Sequence, residues 1–409
     1  MRAAPAAGPY GRAARNERVL VVGGGIFGLS AALGLSRRPG TSVEVLERGR
    51  VPHPEAASTD ISKVCRMEYG ADEAYMELME RARERWLGWN ARWRDAGLDP
   101  LYHETGVLMV CLGPMEEDGF EHESYRLLRR RGHAPERIGG ASLVQRFPAW
   151  SNDFVDGFYH ALGGFAESGR VVERLAAEAR EAGVEVREET PVDGLLRDGG
   201  RVVGVQLPDG SGVGADRVVV AAGSWTAGLV PELAGSLCRT YHPVWHLRPA
   251  QPELFTADRF PVFTADVART GYYGFPLHPR EGVVKIGNHG PGVQPPDEEL
   301  RVPAATTGAL RAFLRLRLPA LADAELVEDR LCPYCDTQDE DFWIAAHPEL
   351  EGLVVASGGS GHGFKFAPVL GELVVAALDG SPDPLLERFR WRPDLRLARG
   401  REAARWHGD

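Results

Sequence analysis

The sequence predicts a two-domain α/β fold, in which a parallel-sheet domain is interleaved with an antiparallel-sheet α+β domain. Three observations support this prediction. The chain opens on a strand, a glycine-rich turn, a helix and a second strand. Strand and helix patterns alternate again in the middle and last thirds, which is typical of parallel sheets. Between about residues 236 and 330, short proline-rich and aromatic-rich segments indicate an antiparallel sheet with loops.

The first β-α-β unit carries a dinucleotide-binding fingerprint. Gly23-x-Gly25-x-x-Gly28 joins the first strand to the first helix, and Glu47 ends the next strand. Gly23 makes the tight turn, Gly25 lets the helix N-terminus approach a pyrophosphate, and Gly28 permits close helix–strand packing. The Glu47 carboxylate accepts hydrogen bonds from ribose hydroxyls. Because strand, helix and acidic residue are in register, a Rossmann-type dinucleotide site is favoured over a purely structural turn.

The later elements follow from the same periodicities. The pattern predicts strands and helices at these segments: strands 42–47, 184–187, 217–222 and 353–356; strand and hairpin 192–207; antiparallel strands 241–249 and 272–279; helices 72–96, 171–182 and 368–378. The helix at 72–96 carries an apolar stripe, which we assign to the core: Tyr75, Leu78, Met79, Trp86, Trp89 and Trp93. The strand that ends in Ala222-Gly223-x-Trp225 is compatible with a second nucleotide-contacting strand or with any buried parallel strand.

Chain length and this alternation predict a discontinuous cofactor domain. With 409 residues and 44% hydrophobic content, the chain supplies more core than one ordinary domain needs. We assign the segments as follows: cofactor domain 17–100, 160–235 and 338–395; substrate domain 101–159 and 236–337; disordered extension 1–16. The extension is rich in Ala, Gly, Pro and Arg and has no apolar signal-peptide core.

Composition narrows the classes of partner. The 47 basic and 58 acidic residues give a net charge of −11, and the basic residues are dispersed, so no nucleic-acid partner is predicted. No apolar run approaches the roughly 18 residues that a membrane span needs. The five cysteines are an odd number without the spacing of a disulfide framework. We therefore expect a soluble cytoplasmic protein, as a monomer or homodimer.

A second constellation lies near the C-terminal end. Cys332-Pro-Tyr-Cys335 precedes a short strand, and Ser357–Lys365 forms a glycine-rich turn between that strand and a helix. Such a turn presents backbone N–H groups, here with a lysine, to an anionic group such as the pyrimidine ring of a reduced flavin. Cys332-x-x-Cys335 is by itself compatible with a metal or disulfide pair. Since no nearby Cys or His pair completes a tetrahedral site, no metal is predicted.

Four separated motifs resemble the monomeric sarcosine oxidase and fructosyl amino acid oxidase (amadoriase) family of D-amino acid oxidase-like flavoproteins. They occur in the family order: the fingerprint at Gly23, the segment Asp60-Ile-Ser-Lys-Val-Cys-Arg-Met-Glu-Tyr69, Lys285-Ile-Gly-Asn-His289, and Cys332 with Ser-Gly-His-Gly-Phe-Lys365. The resemblance covers about residues 17 to 390. It implies a D-amino acid oxidase-like two-domain fold, with FAD as the dinucleotide.

The resemblance also implies roles on the flavin side. The cysteine aligned with Cys332 carries the flavin in that family, which implies covalent FAD, with Cys335 as the nearest competitor. Lys285 corresponds to a lysine beside the flavin that activates dioxygen by stabilising developing negative charge. A solvated strand face is the alternative for Lys285. A cavity position is favoured over it, because a lysine in an apolar strand does not suit a core.

On the substrate side, Arg66 and Lys365 align with the pair that holds the substrate carboxylate. Tyr334 matches an active-site tyrosine, and His289 resembles an active-site histidine or serves as a structural hydrogen-bond donor. Lys63 stands where sarcosine oxidases have arginine and resembles the lysine of amadoriases, although Ser62 replaces their asparagine. The remaining predicted cofactor contacts, which again include Lys63 and Lys365, are Ile26, Phe27, Arg48, Ser58, Val192, Ala222, Gly223, Trp225, Gly359, Gly361, His362, Gly363 and Phe364.

The expected reaction is FAD-dependent oxidation of an N-substituted amino acid. A hydride leaves the carbon adjacent to nitrogen, the imine hydrolyses, and dioxygen is reduced to hydrogen peroxide. The motifs supply cations and aromatics and no obvious catalytic carboxylate, so the amine is expected to bind neutral. Alternatives are a flavin-dependent amine dehydrogenase, a biosynthetic tailoring oxidase for a larger amine, and a flavin-binding subunit of a hetero-oligomer. Tyr102–Arg146 and Tyr241–Phe275 are expected to line the substrate pocket.

Overall fold

The computed structural model describes residues 16–293, 300–393 and 404–405, so the predicted extension lies outside it except for residue 16. The strands, in chain order, are β1 (Glu17–Val22), β2 (Thr41–Leu46), β3 (Lys63–Cys65), β4 (Tyr102–Glu104), β5 (Val107–Cys111), β6 (Glu136–Arg137), β7 (Asp156–His160), β8 (Gly164–Ala166), β9 (Glu185–Arg187), β10 (Gly194–Asp198), β11 (Arg201–Gln206), β12 (Gly212–Gly214), β13 (Arg217–Val220), β14 (Leu237–Arg248), β15 (Val262–Ala265), β16 (Tyr272–Leu277), β17 (Val284–Asn288), β18 (Glu325–Thr337), β19 (Trp343–Ala346) and β20 (Leu353–Ser357). The α-helices are α1 (Ile26–Ser36), α2 (Glu73–Asp95), α3 (Phe120–Arg130), α4 (Ala141–Arg146), α5 (Ser168–Glu181), α6 (Thr226–Leu229), α7 (Val267–Thr270), α8 (Ala304–Arg317), α9 (Ala367–Asp379) and α10 (Pro384–Arg388).

A six-stranded sheet with the order β19-β20-β13-β1-β2-β9 forms the first layer. Its strands are parallel except for β19, which runs antiparallel to β20 at one edge. The continuous apolar run of β1 is buried on both faces, as expected for a central parallel strand. Helices α1, α5 and α9 share a core on one face, and the small sheet β10-β11-β12 covers the other. Gly34 lets α1 approach α9, because a Cβ there would lie 2.9 Å from the Gly371 carbonyl oxygen.

An eight-stranded sheet with the order β18-β14-β17-β16-β15-β5-β7-β6 forms the second layer. All of its neighbouring strands are antiparallel except β15 and β5. Leu310 and Leu314 of α8 pack into a core on this sheet with Trp245 and Phe263. The strands β3, β8 and β4 form a third, small sheet.

The chain alternates between the two large sheets, so the predicted interleaved two-domain fold is confirmed. It passes from β1 and β2 to β5–β7, returns for β9 and β13, leaves again for β14–β18 and ends with β19 and β20. The exact domain boundaries stay a prediction. The helix predicted over 72–96 is α2, capped by the Asp72 carboxylate, which accepts a hydrogen bond from the Tyr75 N–H. Its aromatic stripe is core, as predicted, with Trp86 and Trp93 fully buried.

Within the described ranges, no helix combines the length and the apolar character needed to cross a membrane.

Candidate active site

A cavity of about 620 Å³ lies where the two large sheets meet. The carboxyl ends of β1, β2, β13 and β20 line one part of it, and residues of β15, β16 and β18 line another. Ligands of open α/β sheets bind in a crevice at the carboxyl ends of the strands. The position of the cavity therefore fits a dinucleotide site that adjoins a substrate site.

The glycine fingerprint forms the turn at the end of β1. Gly23 has φ +111°, and a Cβ there would lie 2.5 Å from the Ala221 carbonyl oxygen. A Cβ at Gly28 would lie only 1.9 Å from the Gly23 carbonyl oxygen, so α1 packs directly on the turn. Gly25 is the N-cap of α1 and lines the cavity. The helix N-terminus therefore faces the cavity, where its backbone N–H groups can meet a phosphate group.

Two polar features border the turn from Gly23 to Gly28, which we call the dinucleotide cradle. The Glu47 carboxylate is buried and accepts hydrogen bonds from the Gly24 N–H at 2.7 Å and the Gly49 N–H at 3.1 Å. This holds the carboxylate at the cavity wall, where it can accept ribose hydroxyls. The Arg48 guanidinium lies 4.8 Å from the Trp225 ring, and both residues line the cavity. The residues present thus fit a dinucleotide such as FAD.

The glycine-rich turn after β20 packs against the same cavity. Gly361 has φ +76°, and a Cβ there would lie 2.1 Å from the Tyr334 ring. His362 faces the Glu340 carbonyl oxygen through Nε2 at 3.0 Å and the Tyr69 hydroxyl through Nδ1 at 3.0 Å. A carbonyl oxygen only accepts, so Nε2 carries a proton, and in the neutral ring Nδ1 accepts from the Tyr69 hydroxyl. Lys365 Nζ in turn donates to the Tyr69 oxygen at 2.8 Å.

Two buried cations, Arg66 and Lys365, share the Tyr69 ring. The Arg66 guanidinium carbon lies 5.2 Å from the ring centre, and Lys365 Nζ lies 4.9 Å from it. Both residues line the cavity. A guanidinium and an ammonium on one wall suit a carboxylate, since the first binds it in bidentate geometry and the second adds a point charge.

Lys63 connects the cavity to a cysteine behind it. Lys63 lines the cavity, and its ammonium lies 3.4 Å from Cys332 Sγ and 3.9 Å from Asp60 Oδ2. Cys332 is buried and does not itself line the cavity. Cys335 does line it, on the opposite face of β18, and its Sγ lies 3.5 Å from Ser357 Oγ. Burial raises the pKa of the Cys335 thiol to about 11.

Lys285 occupies neither of the two environments considered from the sequence. It is buried and does not line the cavity, so both the solvated face and the direct cavity position are corrected. Its Nζ donates to Asp60 Oδ2 at 2.6 Å and to the Ser62 carbonyl oxygen at 2.6 Å. It also lies 4.9 Å from the ring of Phe275, which does line the cavity. The Asp60 carboxylate makes this core position possible because it compensates the ammonium charge.

Aromatic side chains cover the cavity wall that belongs to the antiparallel sheet. His242 stacks on Tyr334 with a centroid separation of 3.9 Å, and His289 lies 5.9 Å from the Tyr334 ring. Burial raises the pKa of Tyr334 and that of its hydrogen-bonded neighbour Tyr273, so both hydroxyls stay protonated at neutral pH. Tyr334, Tyr273 and His289 line the cavity and offer hydrogen-bonding groups on an aromatic surface.

Most of the predicted site residues meet at this one cavity. Those that line it are Gly23, Gly25, Ile26, Phe27, Glu47, Arg48, Ser58, Lys63, Arg66, Val192, Ala222, Gly223, Trp225, His289, Tyr334, Gly359, Gly361, His362, Gly363, Phe364 and Lys365. Gly28, Lys285 and Cys332 do not line it. Gly28 contributes by packing, and the other two lie behind the wall.

Of the two segments expected to line the substrate pocket, one does so and the other does not. No residue of Tyr102–Arg146 lines the cavity, because β5 is an interior strand whose side chains enter cores on both faces. Tyr241–Phe275 does contribute Thr264, Val267, Tyr273 and Phe275.

Sequence reasoning missed several residues at or beside the cavity. Tyr69 ends the quoted Asp60–Tyr69 motif, so its position there was an available signal. Tyr273 lies in the predicted pocket-lining range Tyr241–Phe275 but was not singled out as a site residue. Arg405 had no such signal. Its guanidinium forms hydrogen-bonded ion pairs with Asp336 and Glu340 and lies 5.8 Å from the Tyr334 ring.

Among the residues with described positions, no group of three or more His, Cys, Asp or Glu side chains is arranged to hold a metal ion.

Comparisons with known proteins agree with this geometry. N-methyl-L-tryptophan oxidase of Salmonella arizonae is 32% identical over 380 residues, which is 91% of this chain and 97% of that protein. The enzyme of the same name from Salmonella typhimurium is 31% identical over 379 residues, with the same shares. The deglycating enzyme fructosamine oxidase of Aspergillus fumigatus (Amadoriase II), in complex with FSA, has a TM-score of 0.80 and 26% identity, covering 97% of this chain and 95% of that chain.

The FAD dependent oxidoreductase family abbreviated DAO matches residues 18–377. That span includes the glycine cradle, the buried cations and the turn after β20. The chain therefore belongs to the DAO family of FAD dependent oxidoreductases.

Proposed function

We propose that this chain is an amine oxidase that oxidises the C–N bond of an N-substituted amino acid to an imine and reduces dioxygen to hydrogen peroxide. The observation that carries the proposal is the pair of buried cations, Arg66 and Lys365, in the cavity that also contains the dinucleotide cradle. The names of the related N-methyl-L-tryptophan oxidases and of fructosamine oxidase support an amine substrate.

The residues of the chain bind and orient the reactants. Gly23 and Gly25 admit the pyrophosphate, and Glu47 accepts the ribose hydroxyls. FAD, when bound, accepts the hydride and passes the electrons to dioxygen. Arg66 and Lys365 hold the substrate carboxylate. Their positive charge also lowers the pKa of the substrate ammonium, which favours the neutral amine that releases a hydride.

We propose that Lys285 supplies the positive charge that favours electron transfer to dioxygen. Burial lowers the pKa of Lys285 to about 8, against the opposing influence of Asp60. At pH 7 the group is still mainly an ammonium, and it loses its charge as the pH rises through about 8. A buried charge acts more strongly than an exposed one because solvent does not screen it.

We also propose that FAD is tethered through Cys332. Attachment would break the Cys332 S–H bond and one C–H bond of a flavin methyl group and form a C–S bond, and the two electrons and two protons released would reduce one dioxygen to hydrogen peroxide. The adjacent Lys63 ammonium supports Cys332 as the nucleophile, because a nearby cation stabilises a thiolate. The raised pKa of the Cys335 thiol argues against Cys335 as the competing attachment site.

We also propose a cytoplasmic location. The five free cysteine thiols support a reducing compartment.

The first experiment is a peroxide assay of the isolated chain. Sarcosine, pipecolate, proline, other N-methyl amino acids and fructosyl amino acids are offered, and at least one should yield hydrogen peroxide in proportion to amine consumed. Reduction of an artificial dye without peroxide would identify a dehydrogenase instead. Flavin binding without turnover of any amine would favour a subunit of a larger complex.

The second experiment separates the two halves of the reaction. Lys285→Met should slow reoxidation by dioxygen by about 100-fold or more, and flavin reduction by the amine much less. In the unmodified protein, reoxidation should slow as the pH rises through about 8. Equal effects of the substitution on both half-reactions would contradict the proposed role of Lys285.

A further inference from the structure

Three side chains form a line across the eight-stranded sheet, from its edge to its interior. Glu328 lies on the edge strand β18, His246 on β14 and Lys285 on β17. The strand register pairs His246 directly with Glu328 on one side and with Lys285 on the other. Residues directly opposite each other on neighbouring strands point to the same face of a sheet. The three side chains therefore lie next to one another on one face.

Asp60 joins this line into a continuous hydrogen-bonded chain. Lys285 Nζ donates to Asp60 Oδ2 at 2.6 Å. Asp60 Oδ1 lies 3.1 Å from His246 Nε2, and His246 Nδ1 lies 3.2 Å from Glu328 Oε2. The Glu328 side chain is 56% exposed, whereas those of Asp60 and Lys285 are each 1% exposed. The chain thus connects solvent to a fully buried ammonium in three contacts.

The histidine in the middle is arranged to carry a proton. Both of its ring nitrogens face carboxylate oxygens, which only accept hydrogen bonds when ionised. Both contacts are satisfied together when both ring nitrogens carry protons. His246 is also 4% exposed, so its proton reaches solvent through Glu328.

Charge compensation alone does not account for this arrangement. Asp60 already balances the Lys285 ammonium at 2.6 Å. The contact of His246 with Glu328 adds little stability, because solvent screens the largely exposed Glu328 carboxylate. A buried histidine between two carboxylates is therefore an additional feature, and the reaction supplies a use for it.

Peroxide formation needs a proton that the hydride does not supply. Reduction of dioxygen to hydrogen peroxide takes two electrons and two protons, and a hydride delivers two electrons and one proton. We propose that Glu328, His246 and Asp60 form a proton relay that brings the second proton from solvent to Lys285. This inference rests on the proposed function, because it extends the role of Lys285.

The relay works in balanced steps. Lys285 gives a proton to the reduced oxygen through one intervening water molecule, so an N–H bond breaks and an O–H bond forms. His246 passes its Nε2 proton to Asp60, whose carboxyl group rotates and returns a proton to the lysine. The ring of His246 then turns so that its vacant Nε2 takes a solvent proton from Glu328, and it turns back so that Nε2 again faces Asp60. One solvent proton has entered, and each of the four groups has its original charge.

The surroundings of Asp60 favour this sequence. Burial is the largest influence on the Asp60 pKa and raises it, but the charges of Lys285, Lys63 and His246 together hold it well below its usual range. When Lys285 becomes neutral, the largest of the lowering influences disappears. Asp60 then accepts a proton more readily. The other titratable groups that face this pair are Cys332, which interacts with Lys285, and Tyr273, which interacts with Asp60.

The test substitutes the positioning residues that act through Lys285. His246→Gln keeps polar contacts but cannot transfer a proton. In the FAD-loaded protein we expect reoxidation by dioxygen to slow by about tenfold or more and its solvent deuterium isotope effect to rise, with flavin reduction nearly unchanged. Glu328→Gln should give a smaller change in the same direction. Imidazole in solution should restore part of the rate to His246→Ala, which a purely structural defect would not show.

Glu325→Gln is the matched control. Glu325 lies on the same edge strand, is 61% exposed and pairs with Arg248, so its substitution removes the same charge without touching the relay. It should leave reoxidation and its isotope effect unchanged.

A readout that needs no cofactor is the histidine spectrum of the apoprotein. With ¹⁵N-labelled histidine, Glu328→Gln should shift the Nδ1 signal of His246, while Glu325→Gln should leave it unchanged. An unchanged Nδ1 signal of His246 in Glu328→Gln, or wild-type reoxidation and isotope effect in Glu328→Gln and His246→Gln, overturns the relay. If Lys285→Met fails to slow reoxidation, the proposed role of Lys285 falls and the relay falls with it. If His246→Gln does not fold, Glu328→Gln and the spectra decide the question.

Discussion

The dinucleotide cradle and the reaction side of the cavity are lined by different kinds of chemical group. The dinucleotide cradle uses backbone groups and missing side chains from one short stretch, Gly23 to Gly28, together with Glu47. The reaction side uses charged and aromatic side chains from distant segments, such as Arg66, Tyr334 and Lys365. The cradle is therefore limited by steric space, and the reaction side by where charges are held.

The same contrast appears in how each part tolerates burial of polar groups. In the cradle, Glu47 is fixed by the backbone N–H groups of Gly24 and Gly49, which belong to the same β-α-β unit and the loop that follows it. On the reaction side, Lys285 depends on Asp60, and Lys365 depends on Tyr69 and His362. A buried charge without its partner is costly, so these distant contacts are as necessary as the local ones.

The largest expected effect comes from filling the cradle. Gly28→Ala places a methyl group where the Gly23 carbonyl oxygen lies 1.9 Å away, and overpacking of this kind costs about 1–3 kcal/mol or more. We expect lost or strongly reduced FAD content and a lower melting temperature. Gly88→Ala, in α2, is the control. A Cβ there meets nothing within 4 Å, so FAD content should not change. Full FAD content in Gly28→Ala would show that α1 can shift away from the turn.

An intermediate effect is expected from the cations on the reaction side. Arg66→Gln removes a charged hydrogen-bonding partner of the carboxylate, and such bonds contribute about 1.5–3 kcal/mol, so KM should rise roughly 10- to 100-fold. FAD content should stay normal, which separates the two parts of the cavity. The rise should vanish when the substrate is offered as its amide.

Arg126→Gln serves as the matched arginine control, because Arg126 is exposed on α3 and pairs with Glu123. Its KM should be that of the unmodified protein. Equal loss of affinity for the acid and the amide in Arg66→Gln would instead place the carboxylate elsewhere.

The smallest expected effect concerns the covalent attachment of the flavin to the chain. Cys332→Ser should convert flavin that survives acid precipitation into flavin that is released, while Cys335→Ser should keep it bound. Peptide mapping by mass spectrometry then identifies the flavin-bearing cysteine. Flavin attached to a peptide through Cys335, or released from the unmodified protein, would reject Cys332 as the tether.

Several features were predictable from the sequence because their causes are local. A β-α-β unit with glycines in register has one favourable backbone solution, so the cradle and its strands agree with the prediction. The stripe on α2 has helical spacing, and it is buried as predicted. The motifs at Lys63, Arg66 and Lys365 could be placed through the family resemblance, and all three line the cavity.

Other features had causes far apart in the sequence. Tyr102–Arg146 was predicted to line the substrate pocket. Its strand β5 instead lies in the interior of the sheet, between β15 and β7. Lys285 looked like a cavity residue, and Asp60, 225 residues away, draws it into the core. Neither outcome follows from residue type or spacing, since each depends on which strand lies next to which.

The sequence by itself determined the interleaved fold class, the dinucleotide cradle and the family, because short-range backbone geometry and glycine sterics act within a few residues. Only the tertiary structure decided which charges meet. Glu328, His246 and Lys285 come from three separate strands, and strand register places them side by side with Asp60. Side-chain electrostatics act over a few ångströms, so their consequences appear only when the folded chain brings distant residues within that range.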